Sequence, residues 1–261
     1  MIDPADLESR LRTRLLGRPL RYYASVPSTQ DLARAEAEAG AAEGLAVVAG
    51  EQTAGRGRGG RSWWSPPAGG LYLSLLFRPN LSPERVSWLT MGVALGAAEG
   101  IEAACGLRVD LKWPNDLEWQ GRKLAGILAE AAFQDGRMAY AVVGLGLNVN
   151  TDFGEQPLLR PIAVSLAEIL GRPVDVADLL LAILERIEAH YLALRRGDSP
   201  TAAWAARLVT LGRPVAAHLP DGRQLSGLAT RVLEDGALCI RLDNGTEEVV
   251  RAVDVSVRHG R

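Results

Sequence analysis

Only two of the 29 basic residues in this 261-residue chain are lysine, and both lie in one stretch, LKWPNDLEWQGRKLAGILAE, as Lys112 and Lys123. Everywhere else positive charge is arginine. Lysine carries a compact ammonium on a flexible stem and meets a carboxylate or phosphate as a point charge. Chance clustering of two residues is the plain alternative, so the pair has to be weighed with its neighbours. KWPND (Lys112 to Asp116) sets a cation, an aromatic ring, a rigid proline and two polar side chains at the end of a strand. Pro114 turns the backbone so that Asn115 and Asp116 project from a bend instead of continuing a ladder. A bare PND would be a strand-ending turn and nothing more. Lys112 before it, and RKLAG with Lys123 and Gly126 after it, ask for more than that.

A second piece, GRGRGGR (Gly55 to Arg61), alternates glycine with Arg56, Arg58 and Arg61. Glycines such as Gly55 and Gly57 let backbone amides converge on an oxygen-rich group, and arginines add charge-assisted hydrogen bonds. It is not a phosphate-binding Walker loop, because no GK[ST] follows, and its glycine spacing does not fit a dinucleotide fingerprint. The segment from Gln52 to Pro83 holds no Asp or Glu while carrying four arginines. An anionic ligand and a basic rim pairing with acids elsewhere explain that equally well. The third piece, VVGLGLNVN (Val142 to Asn150), ends a buried strand with Asn148 at its mouth, or reflects close packing of strand on helix.

The elements that must position these groups follow from apolar periodicity, caps and turns. Pro4 opens a short helix ending near Gly17, and a strand runs from Leu20 to Ala24. Ser28 caps a helix to about Ala39, and Leu45 to Gly50 is a buried strand. Thr53 to Gly70 is a long loop, and long loops inside compact domains are usually functional. Leu71 to Phe77 is a strand, and Ser82 with Pro83 starts a long helix to about Cys105. Strands over Leu107 to Trp113 and Lys123 to Phe133 flank WPND, and the turn at Asp135 and Gly136 leads into Met138 to Val149. Ser165 and Glu168 form a capping box, Asp175 caps an amphipathic helix to about Arg196, and Ser199 with Pro200 opens another reaching Leu211. After Gly212, short strands alternate with DG, DG and NG turns, the pattern of a small antiparallel barrel. The predicted architecture is α/β (α+β): a mixed-sheet catalytic domain with helices on one face over residues 1–211, then a small SH3-like β-barrel over residues 212–261.

Composition bounds the function. With 48% hydrophobic and 23% charged residues the chain is that of a folded domain, and no apolar run reaches the length of a membrane span. A net charge of -2 argues against a whole surface built for nucleic acid. Cys105 and Cys239 stand far apart in apolar contexts, as expected of reduced thiols in a cytoplasmic protein. His190, His218 and His259 fall in no ligating pattern.

Taken together, the Ser28-Thr29 pair at a helix start, GRGRGGR with a following Trp63, KWPND with KLAGIL, and the GLGLN strand resemble the biotin protein ligase family. The similarity runs in order and spacing from about Ser25 to Asn150, with a weaker match over the final β-domain. It implies ATP-dependent activation of biotin as biotinyl-5′-adenylate, then transfer to the acceptor lysine of a biotin carboxyl carrier protein domain of a biotin-dependent carboxylase. ATP, biotin and Mg²⁺ are the expected ligands. Joining two anions raises an electrostatic barrier that clustered cations and a metal ion lower.

Carried over by position, the resemblance implies that Ser28, Thr29 and Gln52 hydrogen-bond the ureido ring with help from the Gly55, Arg56 and Gly57 backbone, while Trp63 and Gly126 lie against biotin. It implies that Arg58 closes over carboxylate and phosphate, and that Lys123 holds both as the principal catalytic residue. Lys112, Asn115, Asp116, Arg61 and Arg258 would serve the nucleotide, Asp116 the metal, and Asn148 would reach the adenylate. Two departures concern the motifs: Gln30 follows Ser-Thr where the family usually has Asn, which alters a local cap more than binding, and Gly59 stands where a basic residue is frequent, which leaves the loop more flexible and lower in charge. A third concerns DNA. About 17 residues precede the first strand, too few for a helix-turn-helix module, so the expectation is a monofunctional enzyme that binds no DNA. Edge strands could pair with a second subunit or with the carrier domain, and the sequence leaves the two open. The rival readings are a lipoate or octanoate ligase, which lacks the arginine-rich loop, and a non-catalytic sensor of biotinyl adenylate.

Four glycines in seven residues make the GRGRGGR loop costly to order, so it should close when its arginines meet an anion. Amide hydrogen exchange over residues 53–65 is expected to slow when biotin and ATP are added; equal exchange with and without them would remove the closure idea.

Overall fold

The computed structural model describes residues 4–154, 156–219, 223–251 and 256–259. Seven strands form one sheet: β1 (Leu20–Tyr23), β2 (Ala46–Ala49), β3 (Gly70–Phe77), β4 (Asp110–Lys112), β5 (Asp116–Trp119), β6 (Arg122–Gln134) and β7 (Arg137–Asn148). Their order is β1-β2-β3-β7-β6-β5-β4, with β1 and β2 parallel and every later neighbour antiparallel, so the sheet is mixed as expected. A two-residue turn at Asp135 and Gly136, both at positive φ, joins β6 to β7.

The central strand β3 is buried along its whole length, and its alternation divides the core. Leu71, Leu73, Leu75 and Phe77 pack with the long helices α3 (Val86–Cys105) and α5 (Val176–Arg195). Leu76 packs instead with Ala33 and Ala37 of α2 (Thr29–Glu38). The long helices thus share one face, and the short α2 covers part of the other. On α3, Gly96 and Gly100 let α5 approach until an added Cβ would lie 2.6 Å from the Cα of Ile187 or Ile183.

Three elements differ from the sequence expectation, and in each a long-range partner wins. The first helix, α1 (Pro4–Arg10), stops well short of Gly17. The amides of Arg14, Leu15 and Leu16 go to the buried carboxylate of Glu188 at 2.7, 2.7 and 2.8 Å instead of to a helix. A short α4 (Leu166–Leu170) follows its predicted cap, but α6 (Thr201–Ala205) ends six residues before Leu211. There the backbone turns to pair with β4, Leu111 N–H donating to Arg207 O and Val209 N–H to Leu111 O. The strand expected over Leu107 to Trp113 is the three-residue β4, and WPND leads into β5, a strand the sequence reading missed.

The second sheet contains β8 (Pro214–His218), β9 (Gln224–Val232), β10 (Leu238–Leu242), β11 (Glu247–Val250) and β12 (Ser256–His259) in the antiparallel order β11-β10-β9-β8-β12. Turns fall at Gly236 and Gly245, both at positive φ as the DG and NG pairs predict; the turn at Asp221 lies outside the described residues. No pairing of β11 with β12 occurs among the described residues, so the second unit is a small antiparallel sheet.

Gly96→Ala is expected to cost about 1–3 kcal/mol in urea unfolding, since the new methyl meets backbone that only a helix shift can clear. Gly92→Ala should be neutral or stabilising, because its Cβ would meet only the Cβ of His190, at 3.6 Å.

Candidate active site

One cavity of about 190 Å³ opens where α2, the long loop and the β4–β5–β6 corner converge. Its cationic corner is set by strand register. Lys112 on β4 lies opposite Asp116 on β5, and Glu118 on β5 lies opposite Lys123 on β6. An irregularity in the β5–β6 register, between Leu117 and Glu118, makes this possible. In a regular register, with Leu124 not skipped, Glu118 would oppose Leu124 and Lys123 would fall on the face of Leu117 and Ala125, which is turned to the core. The bulge turns Lys123 onto the face that carries Asp116, as bulges beside functional sites do. The four charges then pair: Lys123 Nζ lies 2.7 Å from Asp116 Oδ1, and Lys112 Nζ lies 3.2 Å from the buried Glu118 Oε2.

The backbone of Lys123 is held as firmly as its side chain. Its N–H donates to Ile162 O, and its carbonyl accepts from Val164 N–H. Asn148 adds its Nδ2, which donates to Lys123 O at 3.4 Å and to Val164 O at 3.1 Å. Asn148 is therefore buried beside the cavity and lies outside its lining.

Trp63 lies flat across this corner, its ring centroid 5.3 Å from Lys123 Nζ. Gly126 and Gly146 make room for it, since an added Cβ would stand 3.1 Å and 2.6 Å from the indole. Trp63 Nε1 is buried with no hydrogen-bond partner among the described residues, a donor that a ligand can satisfy. Gly55 is buried one step away under Trp63 O, where an added Cβ would come within 2.4 Å; it supports the loop from behind and does not line the cavity.

The opposite end is polar, built on the uncharged side chains of Ser28, Thr29, Gln30, Gln52 and Ser74. Ser28 caps α2, its Oγ accepting from Asp31 N–H at 3.5 Å, and a hydroxyl that accepts at a cap still carries its own donor. Gln52 Oε1 accepts from Thr29 N–H at 2.9 Å and Thr29 Oγ1 at 3.1 Å, while its Nε2 donates to Ser65 Oγ at 2.9 Å. Thr29 Oγ1 lies 2.9 Å from Ser74 Oγ, which donates to Gln30 Oε1 at 3.2 Å. Gln30 Nε2 in turn donates to Val142 O at 3.1 Å and Glu130 Oε2 at 3.2 Å. Gly144 accommodates that amide, an added Cβ there standing 2.7 Å from Gln30 Oε1. Gln30 and Ser74 were not singled out as binding residues from sequence, though both line the cavity.

The glycine-arginine loop folds over the cavity as a hairpin, with Gly57 N–H donating to Arg61 O and Trp63 N–H to Gly55 O. Gly59 and Gly60 take positive φ at its tip. Its three arginines take different roles. Arg56 also lines the cavity, but its guanidinium pairs with acids outside that lining, Asp31 at 2.8 Å and Glu130 at 2.7 Å. Arg58 is half-buried on the lining; burial pushes its guanidinium below the usual arginine value against the pull of Asp116, and Arg61 adds to the lowering. Arg61 lines the mouth and is exposed. Asn115 lines the cavity while its side chain donates to Ile127 O at 2.7 Å. Arg258 lies on β12, where only the backbone is described. Among the described residues no helix is long and apolar enough to cross a membrane.

The profile of the biotin/lipoate A/B protein ligase family matches residues 22–148. The biotin–acetyl-CoA-carboxylase ligase of Mycobacterium tuberculosis is 34% identical over 97% of this chain and 95% of its own length. The bifunctional ligase/repressor BirA of Bacillus subtilis is 32% identical over 96% of this chain and 78% of its own. The structure of a biotin protein ligase from Aquifex aeolicus in complex with biotin and ATP superposes with a TM-score of 0.77 at 29% identity, covering 92% of this chain and 99% of that one.

Gly146→Ala is expected to push Trp63 off the sheet, read as a red shift and loss of intensity in its indole emission against a Trp63→Phe reference. An unchanged spectrum would mean that the indole does not need the space this glycine leaves.

Proposed function

The chain belongs to the biotin/lipoate A/B protein ligase family as a biotin protein ligase, and from that premise we propose how its own residues divide the work. The enzyme uses ATP to activate biotin and joins it to a carboxylase. A biotin carboxylate oxygen attacks the α-phosphorus of ATP and pyrophosphate leaves; the amine of an acceptor lysine then attacks the acyl carbon, loses a proton and releases AMP. The acceptor belongs to a carboxylase carrier domain.

The observation that carries the reading is a cavity with two ammonium groups at one end and the uncharged hydrogen-bonding side chains of Thr29, Gln52 and Ser74 at the other. Biotin has the matching polarity, a ureido ring at one end and a carboxylate at the other. Thr29, Gln52 and Ser28 receive the ring, with Gln30 and Ser74 fixing their orientation. Trp63 covers the ligand, and its indole N–H gains a partner. Lys123 stands where carboxylate and α-phosphate meet, with Arg58 above and Lys112 toward the remaining phosphates. Holding cations at fixed positions before the charge arrives avoids reorganisation during the reaction.

Among the described residues no group of three or more His, Cys, Asp or Glu is disposed to hold a metal ion. The cavity lining offers Asp116 as its carboxylate. A Mg²⁺ held mainly by the nucleotide's phosphates would need only one or two protein carboxylates, and Asp116 would supply one. Bound there, the ion neutralises phosphate charge.

Labelled pyrophosphate is expected to exchange into ATP when biotin and Mg²⁺ are present, and Lys123→Ala should lower that exchange by on the order of 100-fold or more. Exchange supported by lipoate or octanoate in place of biotin would overturn the substrate assignment, and no exchange with any of the three acids would overturn adenylation itself.

A further inference from the structure

The WPND bend is held from outside the catalytic sheet. Trp113 is 1% exposed, and its backbone N–H donates to Thr210 Oγ1 at 3.0 Å, in the segment that leads into the second sheet. Its indole Nε1 donates to Gly236 O at 2.9 Å, in the turn between β9 and β10. That turn docks a second time through Glu234 O, which accepts from Trp88 Nε1 at 2.9 Å and Thr201 Oγ1 at 3.1 Å. Gly236 takes φ +78°, and an added Cβ would stand 2.5 Å from Met91 Cε, so the turn fits this seat closely.

Trp88 belongs to α3 and lies outside the cavity lining, whereas Trp113 lines the cavity between Lys112 and Pro114. Only three residues separate Lys112 from Asp116, and the two are register partners. A shift of Trp113 is therefore passed to both. We infer that Thr210 and the Gly236 carbonyl of the small sheet position the adenylation site, setting through Trp113 where Lys112 and Asp116 stand toward the nucleotide. Neither touches a reacting atom; both are positioning groups. Each satisfies a buried donor of Trp113, and removing an acceptor leaves that donor to find another by moving. The biotin end has its own supports in α2, β3 and the loop, so the consequence falls on the nucleotide half of the site.

The inference rests on the biotin ligase reading and is tested in the full-length enzyme by pyrophosphate exchange at varied MgATP, with biotin affinity measured separately by calorimetry. Thr210→Ala and Trp113→Phe should each raise KM for MgATP roughly tenfold while biotin affinity stays unchanged. Thr210→Ser, which restores the hydroxyl, should restore KM. Trp88→Phe loses the equivalent indole bond to the same turn and should leave KM for MgATP at the wild-type value. An equal rise in Trp88→Phe would reduce the contact to general docking of the sheet, and an unmoved KM in Thr210→Ala would overturn the inference. If Trp113→Phe fails to fold, the Thr210 pair decides alone. An inactive wild-type enzyme would instead sink the functional reading, an outcome distinct from active enzyme with unmoved variants.

Discussion

Two ammonium groups, on β4 and β6, repel each other, and the site exists because two carboxylates on the strand between them hold both in place. Asp116 and Glu118 alternate along β5 so that each faces the cavity side, and the register irregularity against β6 brings Lys123 to the same face. Much of the surrounding structure maintains this arrangement. Asn148 and the 162–164 segment hold the Lys123 backbone, Asn115 ties β5 to β6 at Ile127, and Trp63 covers the ammonium. Paired charges in a cleft cost less than isolated ones, and a pair at the cavity wall can be opened by an anion that offers a better partner.

The glycines serve this geometry more through packing than through turns. Gly126 and Gly146 form a flat bed for the Trp63 indole, and Gly144 a notch for the Gln30 amide. The glycines of the GLGLN strand line the cavity and, in the folded chain, also form a surface shaped for two of the protein's own side chains. Those two side chains then face the cavity. The small sheet contributes in the same indirect way, its turn carbonyls accepting from two indoles of the larger unit.

Local chemistry was what the sequence displayed. Ser28, Ser165 and Asp175 cap helices at the positions their spacing predicts, and the three motifs meet in one cavity although some ninety residues of sequence separate the first from the last. Hidden were the choices made between distant groups. Nothing near Leu16 announces that Glu188 will take three amides from α1's continuation, and nothing near Arg207 announces β4. Arg56 is the same case: nothing beside it in sequence announces that Asp31 and Glu130, on two other elements, hold its guanidinium. The bulge at Leu124 was equally silent, because it is a property of two strands in register and not of either alone.

The close seat between α3 and α5 has a consequence for how this chain can drift. At Gly96 and Gly100 the neighbours within reach include backbone, the Cα and N of Ile187 and Ile183, beside the isoleucine Cγ1, so no exchange of side chains on α5 alone can make room for a methyl there. The isoleucines themselves can vary within the apolar set, because their side-chain neighbours can repack. One partner of the contact is thereby frozen and the other free, and lineages that lose the frozen partner would have to separate the two helices, lifting the layer on which β3 and Lys123's sheet are laid.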